Sequence, residues 1–277
     1  MGQTQTTVSA QWLKDNLDNS HVKIIDCRFR LSESDWGYYQ YKQSHIQNAY
    51  YLHLNQDLSS PTQNKGGRHP LPNIDIFAQK LADIGIIKNK TTVVVYDDAR
   101  FAYASRLWWL LQYLGHNQVF ILDGGWQEWK KLNYPVDCIN PAFYQGSFLP
   151  QLQSDWLVDI DYVKNHQNSD STVIIDARSG DRYRGEVEPI DPVAGSIPSA
   201  KNVFWQDMTT EKGNLKSVTE LEAIWHQYKN YQEIIVYCGS GVTACVDIFA
   251  LKTININHCK LYVGGWSDWC SYPENFN

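Results

Sequence analysis

Short, continuously apolar runs alternate with helix-patterned stretches along the whole chain. The first half contains VKIID (22–26), TVVVYD (92–97) and VFILDG (119–124). The second half contains TVIID (172–176), EIIVYC (233–238) and KLYVGG (260–265). These runs are apolar at almost every position instead of at every second one, the pattern of strands buried on both faces. FAYASRLWWLLQYLG (101–115) and VTACVDIFALK (242–252) read as helices. Strands of this kind alternating with helices predict an α/β fold with parallel sheets covered by helices. In such sheets ligands sit beyond the carboxyl ends of the strands.

The two halves repeat each other. IIDCRF, ending at Phe29, matches IIDARS, ending at Ser179, so Asp26 pairs with Asp176 and Arg28 with Arg178. SHIQNAYYLHLNQDL, from Ser44, resembles GSIPSAKNVFWQDM, from Gly195. TVVVYDDAR lines up with EIIVYCGSG, and LDGGWQEW with YVGGWSDW. Asp176 lies 150 residues after Asp26 and Cys238 lies 141 after Asp97, so the register drifts little across four matches in one order. A duplicated domain is the expectation. Residues 1–138 form the first copy and 156–277 the second. The Pro-, Gly- and Ser-containing stretch 139–155 is read as the linker.

Composition narrows the chemistry. Net charge is −6 and there is no Lys/Arg-rich run, which argues against nucleic acid as a partner. No apolar run approaches the ~20 residues of a membrane span. MGQTQTTVSAQWLK has no basic start leading into an apolar core, so the expectation is a cytoplasmic chain. The six cysteines show neither CxxC pairs nor zinc spacing, and are expected to stay reduced with no metal bound.

One cysteine is placed differently from the others. Cys238 ends a buried run and is followed by Gly239, Ser240, Gly241, Val242 and Thr243 before a helix begins. A thiolate is the reactive form of cysteine. A helix N-terminus favours an anion, and glycines let successive N–H groups curl into an anion-binding nest. The loop therefore suits a nucleophilic thiolate better than a small core residue. In the first half Asp97 stands at the position of Cys238. A carboxylate is not expected to fit such a nest, so that half is expected to have lost the chemistry. A cysteine phosphatase would need Cys-x5-Arg to clamp phosphate, and position 244 is Ala.

With these segments in view, the chain resembles the two-domain rhodanese-type sulfurtransferases over essentially its whole length. The resemblance rests on IIDARSGDRYRGEVEPIDPVAG, YCGSGVTAC, GGWSDW, GRHPLP and DGGWQEW. It implies two tandem rhodanese-like domains, each a mainly parallel sheet flanked by helices. It also implies transfer of sulfur from a small anionic donor through a Cys238 persulfide to cyanide, a thiol or a dithiol protein, with no cofactor. CGSGVT is similar to the mercaptopyruvate branch, whereas the thiosulfate branch typically has basic residues just after the cysteine. Transfer from thiosulfate to cyanide and a non-catalytic binding module are the alternatives, the latter favoured for the first half alone.

The resemblance implies that Arg182 faces the donor, with Arg184 assisting, and that Arg68 and His69 reach the cleft from the first domain. The alternatives are that one or both of Arg182 and Arg184 pair with Glu186, Glu188 or Asp191, and that Arg68 and His69 make only local turn contacts. A His69 titrating near neutrality would move a proton from Ser240 or the donor. The mercaptopyruvate branch usually carries a second arginine near Ile190–Asp191, and this chain has none, so another cation has to serve or the donor differs. Asp26, Arg28, Asp176 and Arg178 recur in both halves and are read as structural ion pairs. Trp126, Trp129, Trp266 and Trp269 are read as packing residues, and Cys245 as a core cysteine in preference to a resolving thiol.

Overall fold

The computed structural model describes residues 5–276. In the first domain the strands are β1 (Thr7–Val8), β2 (Val22–Asp26), β3 (His45–Ile46), β4 (Ala49–Tyr51), β5 (Thr92–Tyr96), β6 (Val119–Leu122) and β7 (Val136–Asp137). The second domain has β8 (Leu157–Val158), β9 (Thr172–Asp176), β10 (Lys201–Asn202), β11 (Glu233–Tyr237) and β12 (Cys259–Tyr262). One sheet runs β1-β6-β5-β2-β4 and the other β8-β12-β11-β9-β10, so the strand order is the same in both copies. Every pairing within these two sheets is parallel. β3 and β7 form a separate antiparallel pair.

The helices of the first domain are α1 (Ala10–Asp15), α2 (Trp36–Gln43), α3 (Ile74–Asp83), α4 (Ala104–Tyr113) and α5 (Gly125–Lys131). Those of the second are α6 (Ile160–His166), α7 (Gly180–Tyr183), α8 (Val218–Trp225), α9 (Ala244–Thr253) and α10 (Gly265–Trp269). The apolar runs end one residue before Asp97 and Cys238, so both lie at the carboxyl ends of the central strands. The helices that follow start later than periodicity suggests, at Ala104 instead of Phe101 and at Ala244 instead of Val242. In the first domain the cause is visible. Arg100 and Phe101 take left-handed backbone angles (φ 57° and 74°), and their segment wraps Asp97 instead of continuing the helix.

The repeated charges pair identically. Arg28 Nη2 lies 2.6 Å from the Asp26 carboxylate and Arg178 Nη2 lies 2.6 Å from that of Asp176. Tyr96 and Tyr237 donate to the same carboxylates at 2.6 and 2.7 Å. Both clusters are sealed by tryptophan: Arg28 stacks on Trp126 at 4.3 Å and Arg178 on Trp266 at 4.8 Å. Desolvation of each charge is compensated by several bonds, the condition for burying one. Trp126, Trp129, Trp266 and Trp269 are all buried against their sheets.

The two domains share one apolar core. α4 and α9 pack on each other, and Phe249 meets Phe101 and Trp108 edge-on at 5.8 and 4.9 Å. Segment 139–155 is laced to the first domain despite its irregular sequence. Gly146 N–H donates to Ala82 O, Gln151 N–H to Leu114 O and Gln153 N–H to Tyr113 O, while Phe148 is buried.

Candidate active site

Cys238 follows β11 directly and is 2% exposed, at the floor of a cleft of about 480 Å³ between the domains. Trp266 N–H donates to Cys238 O at 2.8 Å and Ser267 N–H to Gly239 O at 2.9 Å, so the start of α10 holds the loop's carbonyls. Gly241 has φ +71°, and a Cβ there would lie 2.3 Å from Val263 O. Both the angle and the contact demand glycine. Gly239, in contrast to Gly241, has no left-handed backbone angle, and what a side chain there would meet is the movable ends of two others. A Cβ at that position would meet Arg68 Nη2 at 2.8 Å and would approach Arg182 Nη2 at 3.7 Å. Two guanidinium groups therefore stand directly over the residue after the cysteine.

These arginines belong to an ion network. Arg182 donates to Glu188 through Nε at 3.1 Å and Nη2 at 2.6 Å, and lies 3.4 Å from Asp191. Arg68, from the first domain, pairs with Asp191. Arg178 reaches Glu188 at 3.1 Å in addition to Asp176. Three arginines thus face three carboxylates. Burial pushes Asp191 up against the pull of Arg68, while Arg182 and hydrogen bonds hold Glu188 down despite its own burial. Arg184 does not join them. It is more than half exposed and pairs with Glu186 at 2.7 Å, outside the residues that line the cleft, which corrects the expectation that it assists Arg182.

His69 does reach the loop. Its Nδ1 lies 2.7 Å from Ser240 Oγ across the domain boundary, and the ring is 7% exposed. Burial, then Arg106 and Arg68, push its pKa down to about 3. His69 is therefore a neutral imidazole and not the near-neutral titrating group expected from the sequence. Another cleft residue, Asp98, is pushed up to about 6, by burial first and then by Asp97.

The first-domain loop overturns a second expectation. Asp97 does sit in a nest. Its carboxylate accepts N–H bonds from Ala99, Phe101, Tyr103 and Ala104 at 2.9 to 3.1 Å. Burial pushes this carboxyl up and the four N–H groups pull it back. Desolvating a charge inside a ring of donors is tolerable because each bond to an ionised acceptor is strong.

Sequence reasoning missed Arg106, which projects from α4 and is wholly buried. It donates through Nη1 to Gly241 O at 2.9 Å and through Nη2 to His69 O at 3.1 Å, with longer approaches to Leu58 O and Pro70 O. Its mark in the sequence is a lone Arg inside the apolar run SRLWWLL. Cys245 is also fully buried; its Sγ sits 3.4 Å from Gly241 O and burial pushes the thiol up to about 12. Groups of His, Cys, Asp and Glu able to hold a metal ion are absent among the described residues.

A model of the rhodanese-like domain matches residues 9–132 and again 159–272. The chain belongs to the rhodanese family. A relative from Pseudomonas aeruginosa described as a probable 3-mercaptopyruvate sulfurtransferase is 36% identical over 96% of this chain and 95% of its own. One from Mycobacterium tuberculosis, described as the putative thiosulfate sulfurtransferase SseB, is 34% identical over 91% of this chain and 89% of its own. The crystal structure of SseA from Escherichia coli superposes with a TM-score of 0.84 at 32% identity, covering 95% of this chain and all of that one. Like these relatives, this rhodanese-family chain is a sulfurtransferase with two domains of one fold. Among its described residues no helix is long and apolar enough to cross a membrane.

Proposed function

We propose that this sulfurtransferase takes sulfur from a small anionic donor, 3-mercaptopyruvate before thiosulfate, and carries it as a Cys238 persulfide to cyanide, a thiol or a dithiol protein in the cytoplasm. The observation that carries the choice of donor is the 2.7 Å contact between Ser240 and His69 beside Cys238. Mercaptopyruvate arrives with a thiol proton that must be moved, and thiosulfate does not.

The Cys238 thiolate attacks the donor sulfur. The carbon–sulfur bond breaks with its electron pair on carbon, giving the pyruvate enolate. The donor's thiol proton passes to that carbon, with the Ser240 hydroxyl positioned to relay it, leaving pyruvate and an anionic persulfide. Attack by cyanide on the outer sulfur yields thiocyanate and returns the thiolate. The chemistry is covalent catalysis in two transfers. Neutral His69 orients the hydroxyl without storing the proton as imidazolium, which its burial disfavours. Arg182 and Arg68 are the groups for the donor carboxylate, with Arg68 supplying the cation that segment 186–191 lacks.

Steady-state kcat/KM for 3-mercaptopyruvate and for thiosulfate, with cyanide as acceptor, tests the reading. The expected result is a preference for mercaptopyruvate of at least about tenfold, with one added sulfur on the Cys238 peptide by mass and no transfer by Cys238→Ser. A preference for thiosulfate reverses the choice of donor, for which the Mycobacterium relative's description is the precedent. Full activity in Cys238→Ser refutes the mechanism.

A further inference from the structure

Among the described residues, two arginines at the cleft have no carboxylate partner: part-buried Arg100, held by Gln206 and Thr209, and fully buried Arg106. Arg68, Arg178 and Arg182 are matched by Asp176, Glu188 and Asp191. Arg106 is not matched. Its oxygen acceptors are backbone carbonyls, its Nε–H meets no oxygen or nitrogen, and no carboxylate pairs with it among the described residues. A guanidinium stays charged in proteins, and burying one without a counter-ion is costly. Such a group calls for an anion nearby.

The candidates can be narrowed. Asp247, two residues after Cys245 on α9, is buried without a hydrogen-bond partner. Burial pushes its carboxyl well up, and it forms no ion pair with Arg106. Apart from burial, which pushes Arg106 down, the groups that act on the guanidinium are the sulfurs of Cys245 and then Cys238. Cys245 also hydrogen-bonds the guanidinium, but burial drives its thiol toward the neutral form. Cys238 is the one that opens onto the cleft.

We infer that Arg106 is a positioning residue that supplies a fully buried positive charge with no carboxylate partner beside the Cys238 loop and ties this loop, through Gly241 O and His69 O, to the first-domain segment facing Ser240. The inference rests on the reading of Cys238 as the sulfur carrier. It gives the catalytically silent domain an electrostatic part in the reaction. Thiolate and persulfide are both anions, so the same fixed charge serves both states without moving.

The test is the rate at which iodoacetamide alkylates Cys238 from pH 5 to 10, read peptide by peptide by mass spectrometry in the full chain. Arg106→Met and Arg106→Gln remove the charge, and Arg106→Lys keeps it. An opposite charge a few ångströms away moves a titration by about one unit or more. The neutral variants should therefore shift the Cys238 profile upward by about one unit, a roughly tenfold slower alkylation on its acid side. Arg106→Lys should restore the profile to within about threefold while recovering less of kcat, because an ammonium spans the two carbonyls less well. Neutral variants whose profile superimposes on the wild type, or a shift confined to Cys245, overturn the inference. If both neutral chains fail to fold, the lysine variant decides, since a one-unit shift with the charge retained also overturns it. Transfer by Cys238→Ser would instead sink the underlying reading, whatever Arg106 does.

Discussion

Replacing His69 by Gln separates a histidine that stores a proton from one that only orients a hydroxyl. With its pKa pushed down to about 3, His69 carries a second proton in about one molecule in 1,000 at pH 6. An unperturbed imidazole, titrating near ~6.5, would carry it in about three of four. The kcat/KM profile of the wild type should therefore lack a histidine limb between pH 5 and 8. His69→Gln should lower the curve without changing its shape there. The same depression is a statement about stability. The folded pKa lies below the unfolded one, so the unfolded chain binds the extra proton first. The contribution is complete above about pH 6.5 and is lost as pH falls toward 3. Between pH 7 and 4.5 it amounts to roughly 2.5 kcal/mol at 1.36 kcal/mol per unit, with no discount for solvent at a ring only 7% exposed. Urea unfolding at both pH values should show the wild type losing about that much more than His69→Gln. The His69 ring resonance, assigned among eight histidines by its absence in the variant, should not titrate above pH 5. A limb near pH 6.5 that disappears in His69→Gln, or equal acid sensitivity of the two chains, would refute the reasoning.

Three other perturbations have expected outcomes. Arg182→Ala should raise the donor KM about tenfold, the worth of one charge-assisted bond, and Arg184→Ala should stay within about twofold, both read from steady-state kinetics. Gly241→Ala forces a side chain into left-handed backbone and against Val263 O, and should cost at least about 2 kcal/mol by urea unfolding, along with most of the activity. Asp98→Asn removes a cleft carboxylate that ionises near pH 6. Below that pH the wild-type group is already neutral, so the variant should bind an anionic donor more tightly at pH 8 but not at pH 5, as judged by KM.

Most of the architecture is readable because it is written locally. Continuous apolar runs place the central strands, and a register that drifts only from 150 to 141 residues exposes the duplication. Cys238 and Gly241 are legible for the same reason, since a turn between strand and helix is a short-range pattern. What escapes is set by partners far apart in the chain. The acids that pair with Arg184 and Arg182, Glu186 and Glu188, are close in the chain, but only Arg182 also meets Asp191, the partner of Arg68 from the first domain. Arg68 meets Asp191, and His69 meets Ser240, across more than a hundred residues. The depression at His69 comes from burial and from two arginines that no local pattern places beside it. Asp97 escapes because the ring of N–H groups around it is made by the backbone path of residues 99–104, so that this loop carries its own anion.

That last point reaches beyond the first domain. A loop whose anion is part of the chain is never empty, so it needs no visitor to hold its shape. On the proposed mechanism the second copy exchanges its sulfur cargo at every turnover, whereas the first is permanently in the filled state. Duplication followed by replacement of the thiol by a carboxylate, in a loop that differs from its counterpart at every position from 97 to 102, is then better described as a division of labour than as decay. One copy keeps the exchangeable passenger. The other, sealed around a passenger that cannot leave, becomes the fixed frame on which His69, Arg68 and Arg106 are mounted.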